Sequence, residues 1–230
     1  MFTLEKLSYD YPTTAGLADI SFTVKAGECV ALMGPNGSGK STLFKMLTGL
    51  LTPSSGTLLY RGQKPDFGLL RQEVGLVFQN SSVQLFTDSV QAELAFGPQQ
   101  LGLATSEVTQ RVDDVLTLLK IERLRDRVPY QLSGGEQKLV ALGCVLTMGP
   151  ETILLDEPFG GLSAHYRQQL LTLLAVLKEA GKTIILSSHN YSQIMGLVDR
   201  VLALDETHRL VLDVDSEALT GSEREQLMQL

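Results

Sequence analysis

The chain has 230 residues, a length that fits one large domain, or a domain with a subdomain, around a substantial buried core. Its 43% hydrophobic and 20% charged content, with 8 prolines, is that of an ordinary soluble globular protein. A net charge of −7 and no cluster of Lys and Arg argue against nucleic acid as the main partner, since phosphate backbones are bound by clustered cations.

The opening run from Met1 to Lys6 carries an early charge and no long apolar core, so no signal peptide is predicted. No window approaches 18 uninterrupted apolar residues, and no bilayer span is predicted either. Phe2, Leu4, Leu7, Tyr9 and Tyr11, then Ile20, Phe22 and Val24, alternate with polar residues and predict antiparallel strands. Tyr11 stands before Pro12 in a predicted turn and by itself reads as a sheet tyrosine with one exposed face. Cys29 to Met33 reads as a buried strand. Cys29 and Cys144 lie apart, each in an apolar run, which predicts buried reduced thiols of a cytosolic protein.

After that strand comes Gly34, Pro35, Asn36, Gly37, Ser38, Gly39, Lys40 and Ser41, matching G-x-x-x-x-G-K-[ST], and then a predicted helix from Thr42 to Leu47. Strand, glycine loop and helix in that order predict a nucleotide site. Glycine lets successive backbone N–H groups turn inward, and the positive end of the helix adds to their pull on a phosphate chain. Lys40 is placed to reach the β- and γ-phosphates and the Ser41 hydroxyl to ligate Mg²⁺.

Thr52 to Gly56 breaks the chain, and Thr57–Tyr60 and Val74–Gln79 read as strands. From Asn80 onward the pattern turns helical. Val108, Val112, Val115, Leu116 and Leu119 share one helical face, with Glu107, Arg111, Asp113 and Asp114 away from it. No strand is predicted between Gln79 and Glu151. Strands resume at Thr152–Asp156, Lys182–Ser187 and Arg200–Leu204, with a helix carrying Leu170, Leu174 and Leu177 between the first two and ending at Gly181. Glu206–Arg209 reads as a hairpin tip before Leu210–Leu212, and 216–230 as a short helical tail. His165 and His208 read as surface residues. The fold class is α/β: a mixed, mostly parallel core sheet over 1–79 and 151–215 with an N-terminal antiparallel β part, a helical insertion over 80–150, and the tail.

Two further motifs carry chemistry. Ile153–Leu155 delivers Asp156 and Glu157 at the end of a strand where ligand sites of open α/β sheets lie. Consecutive strand residues point oppositely, so the two acids are expected to do different work. Asp156 would hold Mg²⁺ through its water shell, and Glu157 would act as general base or water-positioner. Leu132, Ser133, Gly134, Gly135 and Glu136 have the S-x-x-E spacing of a capping box, and the two glycines also let an anion approach the helix N-terminus.

In this combination and order the chain resembles the ATP-binding cassette (ABC) ATPases over nearly its whole length. The resemblance implies ATP and Mg²⁺ as ligands, with a phosphate loop from Gly34 to Ser41 continuing to Thr42, and a Q-loop glutamine at Gln79 that also reaches the metal. It implies a signature at Leu132–Glu136, of which Ser133, Gly134, Gly135 and Glu136 act in trans on a second cassette, identical or paralogous, docked head to tail. It further implies a switch histidine at His189, and adenine stacking by Tyr11. Val74–Asn80, Gln84–Phe86, Ala95–Pro98, Leu101–Leu103 and Tyr9–Pro12 look like the energy-coupling ATPases of energy-coupling-factor (ECF) importers, which take up cobalt, nickel and vitamins. That branch implies a transmembrane coupling subunit, a substrate-binding membrane subunit and a peripheral place on the cytoplasmic face of the cell membrane. An ATPase of another ABC transporter, or a non-transport soluble ABC ATPase, are the alternatives.

Val83, Phe86, Val90, Leu94 and Phe96 follow Gln79 with little charge besides Asp88 and Glu93. They form either the insertion's own core or, on the resemblance, a groove for a short helix of a membrane subunit. The chain departs from the family pattern in three places. Ser163 and Ala164 replace the usual Asp-Pro, Asn190 stands where Asp is common, and Lys138 and Leu139 replace a Gln-Arg pair.

Overall fold

The computed structural model describes residues 1–12 and 16–228, so the last two residues of the expected tail lie outside the described ones. In chain order the elements are β1 (Phe2–Tyr9), β2 (Leu17–Val24), β3 (Cys29–Met33), α1 (Lys40–Leu47), β4 (Ser55–Tyr60), α2 (Phe67–Glu73) and β5 (Val74–Val77). These are followed by α3 (Val90–Gln100), α4 (Thr105–Leu119), α5 (Gly134–Thr147), β6 (Thr152–Leu155), α6 (Ala164–Glu179), β7 (Thr183–Ser188), β8 (Arg200–Leu204), β9 (Leu210–Asp215) and α7 (Gly221–Met228). No helix among the described residues is long and apolar enough to cross a membrane.

Two sheets are present. Strands β2-β1-β4 form an antiparallel three-stranded sheet, and β5-β6-β7-β3-β8-β9 form a six-stranded one, parallel except for the β8–β9 hairpin. The central strands are buried on both faces, which is why they read as unbroken apolar runs. Their residues alternate between two cores. Val30, Leu32, Leu154 and Ile185 pack with Phe2, Leu4, Phe44 and Leu47 of β1 and α1. Ala31, Met33, Ile153, Leu155, Ile184 and Leu186 pack with residues of α3 to α6. The helical segment therefore shares its core with the sheet. Val108, Val112, Val115, Leu116 and Leu119 are all buried in α4, as their spacing predicts.

The structure corrects several expectations. Ser55 and Gly56, expected in a break, already belong to β4. The strand expected to reach Gln79 stops at Val77. Helix α2, unread in the sequence, is seven residues long and buries only Leu70, so it has no periodic face to detect; Asp66 caps it by accepting from Gly68 and Leu69. The run after Gln79 divides: Val90 and Leu94 are fully buried, whereas Val83 and Phe86 are 72% and 65% exposed. His165 is exposed as expected, but His208 is half-buried in its turn.

Candidate functional site

The loop Gly34–Gly39 leaves the C-terminal end of β3, between β7 and β8. Gly34 takes φ 144°, and a Cβ there would fall 2.6 Å from the Leu204 carbonyl oxygen and 2.8 Å from Ser38 Oγ, so no side chain fits. Helix α1 starts at Lys40, earlier than expected, with Gly39 in the left-handed region before it. No side chain caps this end and no acid lies in its first turn. Its free N–H groups and positive pole thus face a cleft of about 360 Å³.

That cleft is lined by Asn36, Gly37, Gly39, Lys40, Ser41 and Thr42 from the loop and helix, and by Gln79, Asp156 and Glu157 from the neighbouring strand ends. Lys40 is buried and donates to the carbonyls of Gly34 (2.7 Å) and Pro35 (3.1 Å), with Glu157 Oε1 3.8 Å away. Burial pushes its ammonium below the ordinary lysine range, opposed by Glu157 and Asp156. The Ser41 hydroxyl donates to Asp156 Oδ2 at 2.5 Å, and Ser187 Oγ donates to Asp156 Oδ1 at 2.6 Å.

Glu157 corrects the expectation that the two acids point apart. The strand ends at Leu155, and Glu157 adopts φ 45°, a conformation rare for a residue with a side chain. This left-handed turn breaks the strand alternation, so both carboxylates line one cleft. The Glu157 N–H donates to Ser187 Oγ at 2.8 Å, its Oε2 lies 2.9 Å from His189 Nδ1, and its buried Oε1 has no hydrogen-bond partner. His189 itself is 55% exposed, beyond the acid.

Hard oxygen donors suit Mg²⁺. Ser41 and Asp156 supply a hydroxyl and a carboxylate side by side, and the exposed Gln79 opens on the same space. The described residues contain no group of three or more His, Cys, Asp or Glu that could hold a metal. A cation here would therefore take much of its shell from phosphate and water, as Mg²⁺ does at nucleotide sites. The uncapped helix end fits an anionic ligand in the cleft, and the unpartnered Oε1 fits a hydrogen-bond donor such as water beside it.

Other expected residues stand apart. Gly34, Pro35 and Ser38 shape the loop from behind the cleft, and Tyr11 lies outside its lining, its hydroxyl 3.0 Å from Thr42 Oγ1. Tyr11 also packs edge-on against Tyr9, with ring centroids 4.8 Å apart. Ser133, Gly134, Gly135 and Glu136 are likewise outside the cleft. They open α5 with a complete capping box: Ser133 Oγ accepts from Glu136 N, and Glu136 Oε2 accepts from Ser133 N at 3.1 Å. Burial opposes ionisation of Glu136, but hydrogen bonds from Ser133 and Arg123 outweigh it and hold the carboxyl below its usual range. Gly135 is buried against α6, where a Cβ would meet Tyr166 Cδ2 at 2.4 Å. Ser163 is the N-cap of α6, accepting from Tyr166 N at 3.5 Å, so its local task is structural.

Sequence reasoning missed Ser187, which ties Asp156 to the backbone of Glu157; its only signal is a serine two residues before His189. It also missed Gln84, which accepts from Phe78 N and donates to the Leu76 carbonyl, bracing the chain just before Gln79. Both cysteines are unpaired, Cys29 buried and Cys144 partly so. Burial raises the Cys29 thiol to about 12 and the Cys144 thiol well above its ordinary value, so both stay protonated.

A family profile described as ABC transporter matches residues 17–160. The nickel import ATP-binding protein LarO of Lactiplantibacillus plantarum is 50% identical over 223 residues, covering 93% of this chain and 92% of that protein. The energy-coupling factor transporter ATP-binding protein EcfA of Methanothermobacter thermautotrophicus is 41% identical over 211 residues, 89% of this chain and 68% of its own. Among solved structures, CbiO1 of Clostridium perfringens, described as part of the ABC transporter complex CbiONQ, aligns with a TM-score of 0.88. It is 35% identical and covers 96% of this chain and 91% of that one.

Proposed function

From the premise that this chain belongs to the ABC transporter family and is similar to its energy-coupling import ATPases, we propose that it drives uptake of a metal ion or vitamin through an ECF-type membrane complex. At the coarser level it is the ATP-binding subunit of an ABC importer, an ATPase coupled to transmembrane transport. The finer reading rests on the similarity to the nickel import and energy-coupling proteins, and the observation that carries the ATPase chemistry is the membership of the cleft. It gathers Lys40, Ser41, Asp156, Glu157 and Gln79, while Ser133 to Glu136, the other anion-binding end, lie outside it. One chain offers half a phosphate cage, and a second cassette docked head to tail would supply the other half.

In this reading the N–H groups of the loop and α1 hold the phosphates, and Lys40 swings from the Gly34 and Pro35 carbonyls to the β- and γ-phosphates. Ser41 and Asp156 would hold Mg²⁺, with Gln79 beside them; bound there, the cation neutralises charge on the phosphates. Glu157 Oε1, buried without a partner, takes the attacking water, and His189 steadies the carboxylate through Oε2. Tyr11 stacks on adenine while its hydroxyl rests on Thr42. The division into a core of 1–79 and 151–215, a helical part of 80–150 and a tail belongs to the same proposal. So does a peripheral position on the cytoplasmic face of the membrane.

Glu157→Gln tests the chemistry. MgATP affinity is expected to hold while turnover falls at least ~100-fold, since loss of a general base costs about 10²–10⁴. Near-normal turnover would refute the role.

The partner reading rests on Val83, Phe86 and Phe96, an exposed apolar patch in which the two phenylalanine rings meet edge-on at 4.9 Å. Buried Glu93 accepts from the Phe86 and Thr87 N–H groups and fixes the patch near Gln79. A short amphipathic helix of the coupling subunit would dock there. Phe86→Glu is expected to leave ATP affinity intact and to reduce recovery with membranes, because an unpaired charge in an apolar contact is costly. Unchanged recovery would move the docking surface elsewhere.

A further inference from the structure

Lys138 lies in the second turn of α5, five residues after the Ser133 cap, and its ammonium reaches off the helix. It donates to three carbonyl oxygens of one turn: Glu157 at 3.2 Å, Pro158 at 3.2 Å and Gly160 at 2.7 Å. An ammonium has three donors, and all three are spent on this turn. The turn is the one that starts at Glu157 with φ 45° and closes with Gly160 N donating to the Glu157 carbonyl. A side-chain-bearing residue in that conformation persists only where its surroundings hold it.

Two groups hold it here. Ser187 accepts from the Glu157 N–H, and Lys138 donates to the Glu157 C=O. The peptide units flanking the candidate base are thus fixed from opposite sides, one by β7 and the other by the helix whose N-terminus lies outside the cleft. Lys138 also lines, with Gly135, Pro158, Leu162 and Tyr166, the tight seam where α5 meets this turn and α6. It is a residue at which the chain departs from the pattern of its resemblance.

We propose that Lys138 is a positioning residue for Glu157, joining the signature helix α5 to the backbone of this chain's own candidate base. The proposal rests on the reading of Glu157 as water-positioner and of the α5 N-terminus as the phosphate contact made in trans. When that N-terminus closes on a neighbour's phosphate, α5 moves with it, and the three contacts of Lys138 carry the motion to the Glu157 turn. Each catalytic acid is then set by the nucleotide of the opposite site. This link does not need an acid at position 163, where the chain has Ser163.

The test compares Lys138→Met, which keeps the length of the side chain and removes the donors, with Lys138→Arg, which keeps charge and donors. Both are made in the full chain beside Glu157→Gln. For Lys138→Met, kcat is expected to fall about 10-fold or more, inside the ~10² that a misplacement of about 1 Å costs. KM for ATP, and affinity for a non-hydrolysable ATP analogue, should stay within about twofold, because a positioning contact acts on the transition state. Lys138→Arg should recover most of the lost kcat. The proposal falls if Lys138→Met turns over within twofold of wild type, if melting temperature and ATP affinity drop together with kcat, or if Arg rescues nothing. Normal turnover by Glu157→Gln would instead overturn the function it rests on. A slow Glu157→Gln beside a normal Lys138→Met removes this inference alone.

Discussion

Helices α1 and α5 both begin beside glycines, yet their N-termini are finished in opposite ways. The α1 end has Gly39 before it, no side-chain cap and no acid in its first turn. The α5 end closes on itself through Ser133 and Glu136, and Glu136 is further held by Arg123 at 2.7 Å. A helix end that meets an anion on its own chain gains by staying bare, since a built-in cap would compete for the same N–H groups. An end that waits for an anion on another molecule is open to water in the meantime and is stabilised by a cap of its own. On the proposed reading, the same property, an oriented helix dipole, is available in α1 and held in reserve in α5.

The sharpest way to break this comparison is at α1. Lys40→Ala removes the one side-chain cation of the cleft and leaves Asp156 and Glu157 unopposed. ATP affinity is expected to fall about 30-fold or more and turnover to vanish, as truncating one partner of a buried charge pair costs about 2–5 kcal/mol. Equilibrium binding of a fluorescent nucleotide measures the first, and wild-type affinity would mean that the loop is not the phosphate site.

A smaller effect is expected at α5 from Gly135→Ala. The added methyl meets the Tyr166 ring at 2.4 Å, so α5 must shift from α6. Overpacking of about 1–3 kcal/mol corresponds to a loss of roughly 2–10 °C in melting temperature. Turnover should drop while nucleotide affinity of the isolated chain stays near wild type. If affinity drops equally, the two ends are not independent and the comparison fails.

The smallest effect comes from the cap itself. The carboxyl of Glu136 is held below its ordinary range, so its stabilisation is fully present above the unfolded value of about 4.3 and is lost as pH falls through the lower folded value. Glu136→Gln should cost about 0.5–1 kcal/mol near pH 7. The gap in melting temperature between the two proteins should then narrow as pH falls below the unfolded value of about 4.3. A gap that does not narrow on acidification would assign the effect to packing.

Much of this was legible in the sequence because it is local. The run from Cys29 to Ser41, the buried face of α4 and the capping box of α5 each lie within one element, where spacing alone determines which side chains meet. The contacts that set the candidate base are non-local. Ser187 stands 30 positions from Glu157 and Lys138 stands 19, and no pattern of period 2 or 3.6 spans such gaps. The run after Gln79 failed for another reason. Its apolar residues share one composition but two elements: Val90 and Leu94 lie one turn apart inside α3, whereas Phe86 precedes the Ser89 cap and stays outside. The switch of direction at Glu157 was hidden because a positive φ at a glutamate follows from its neighbours, not from its own preference.

The order β5-β6-β7-β3-β8-β9 has one more consequence. The segments carrying Ser41 and Asp156 issue from β3 and β6, and Ser187 lies in β7, the strand hydrogen-bonded to both. Their registers, Leu155 against Leu186 and Leu186 against Ala31, leave no freedom for one to slide past another. Amide protons on these strands are therefore expected to exchange with solvent only when the whole molecule opens, and those of the rims at β5 and β9 by local fraying. On the proposed reading, thermal motion would reach the residues that hold metal and phosphate as one common displacement, and their mutual distances would be as durable as the fold itself.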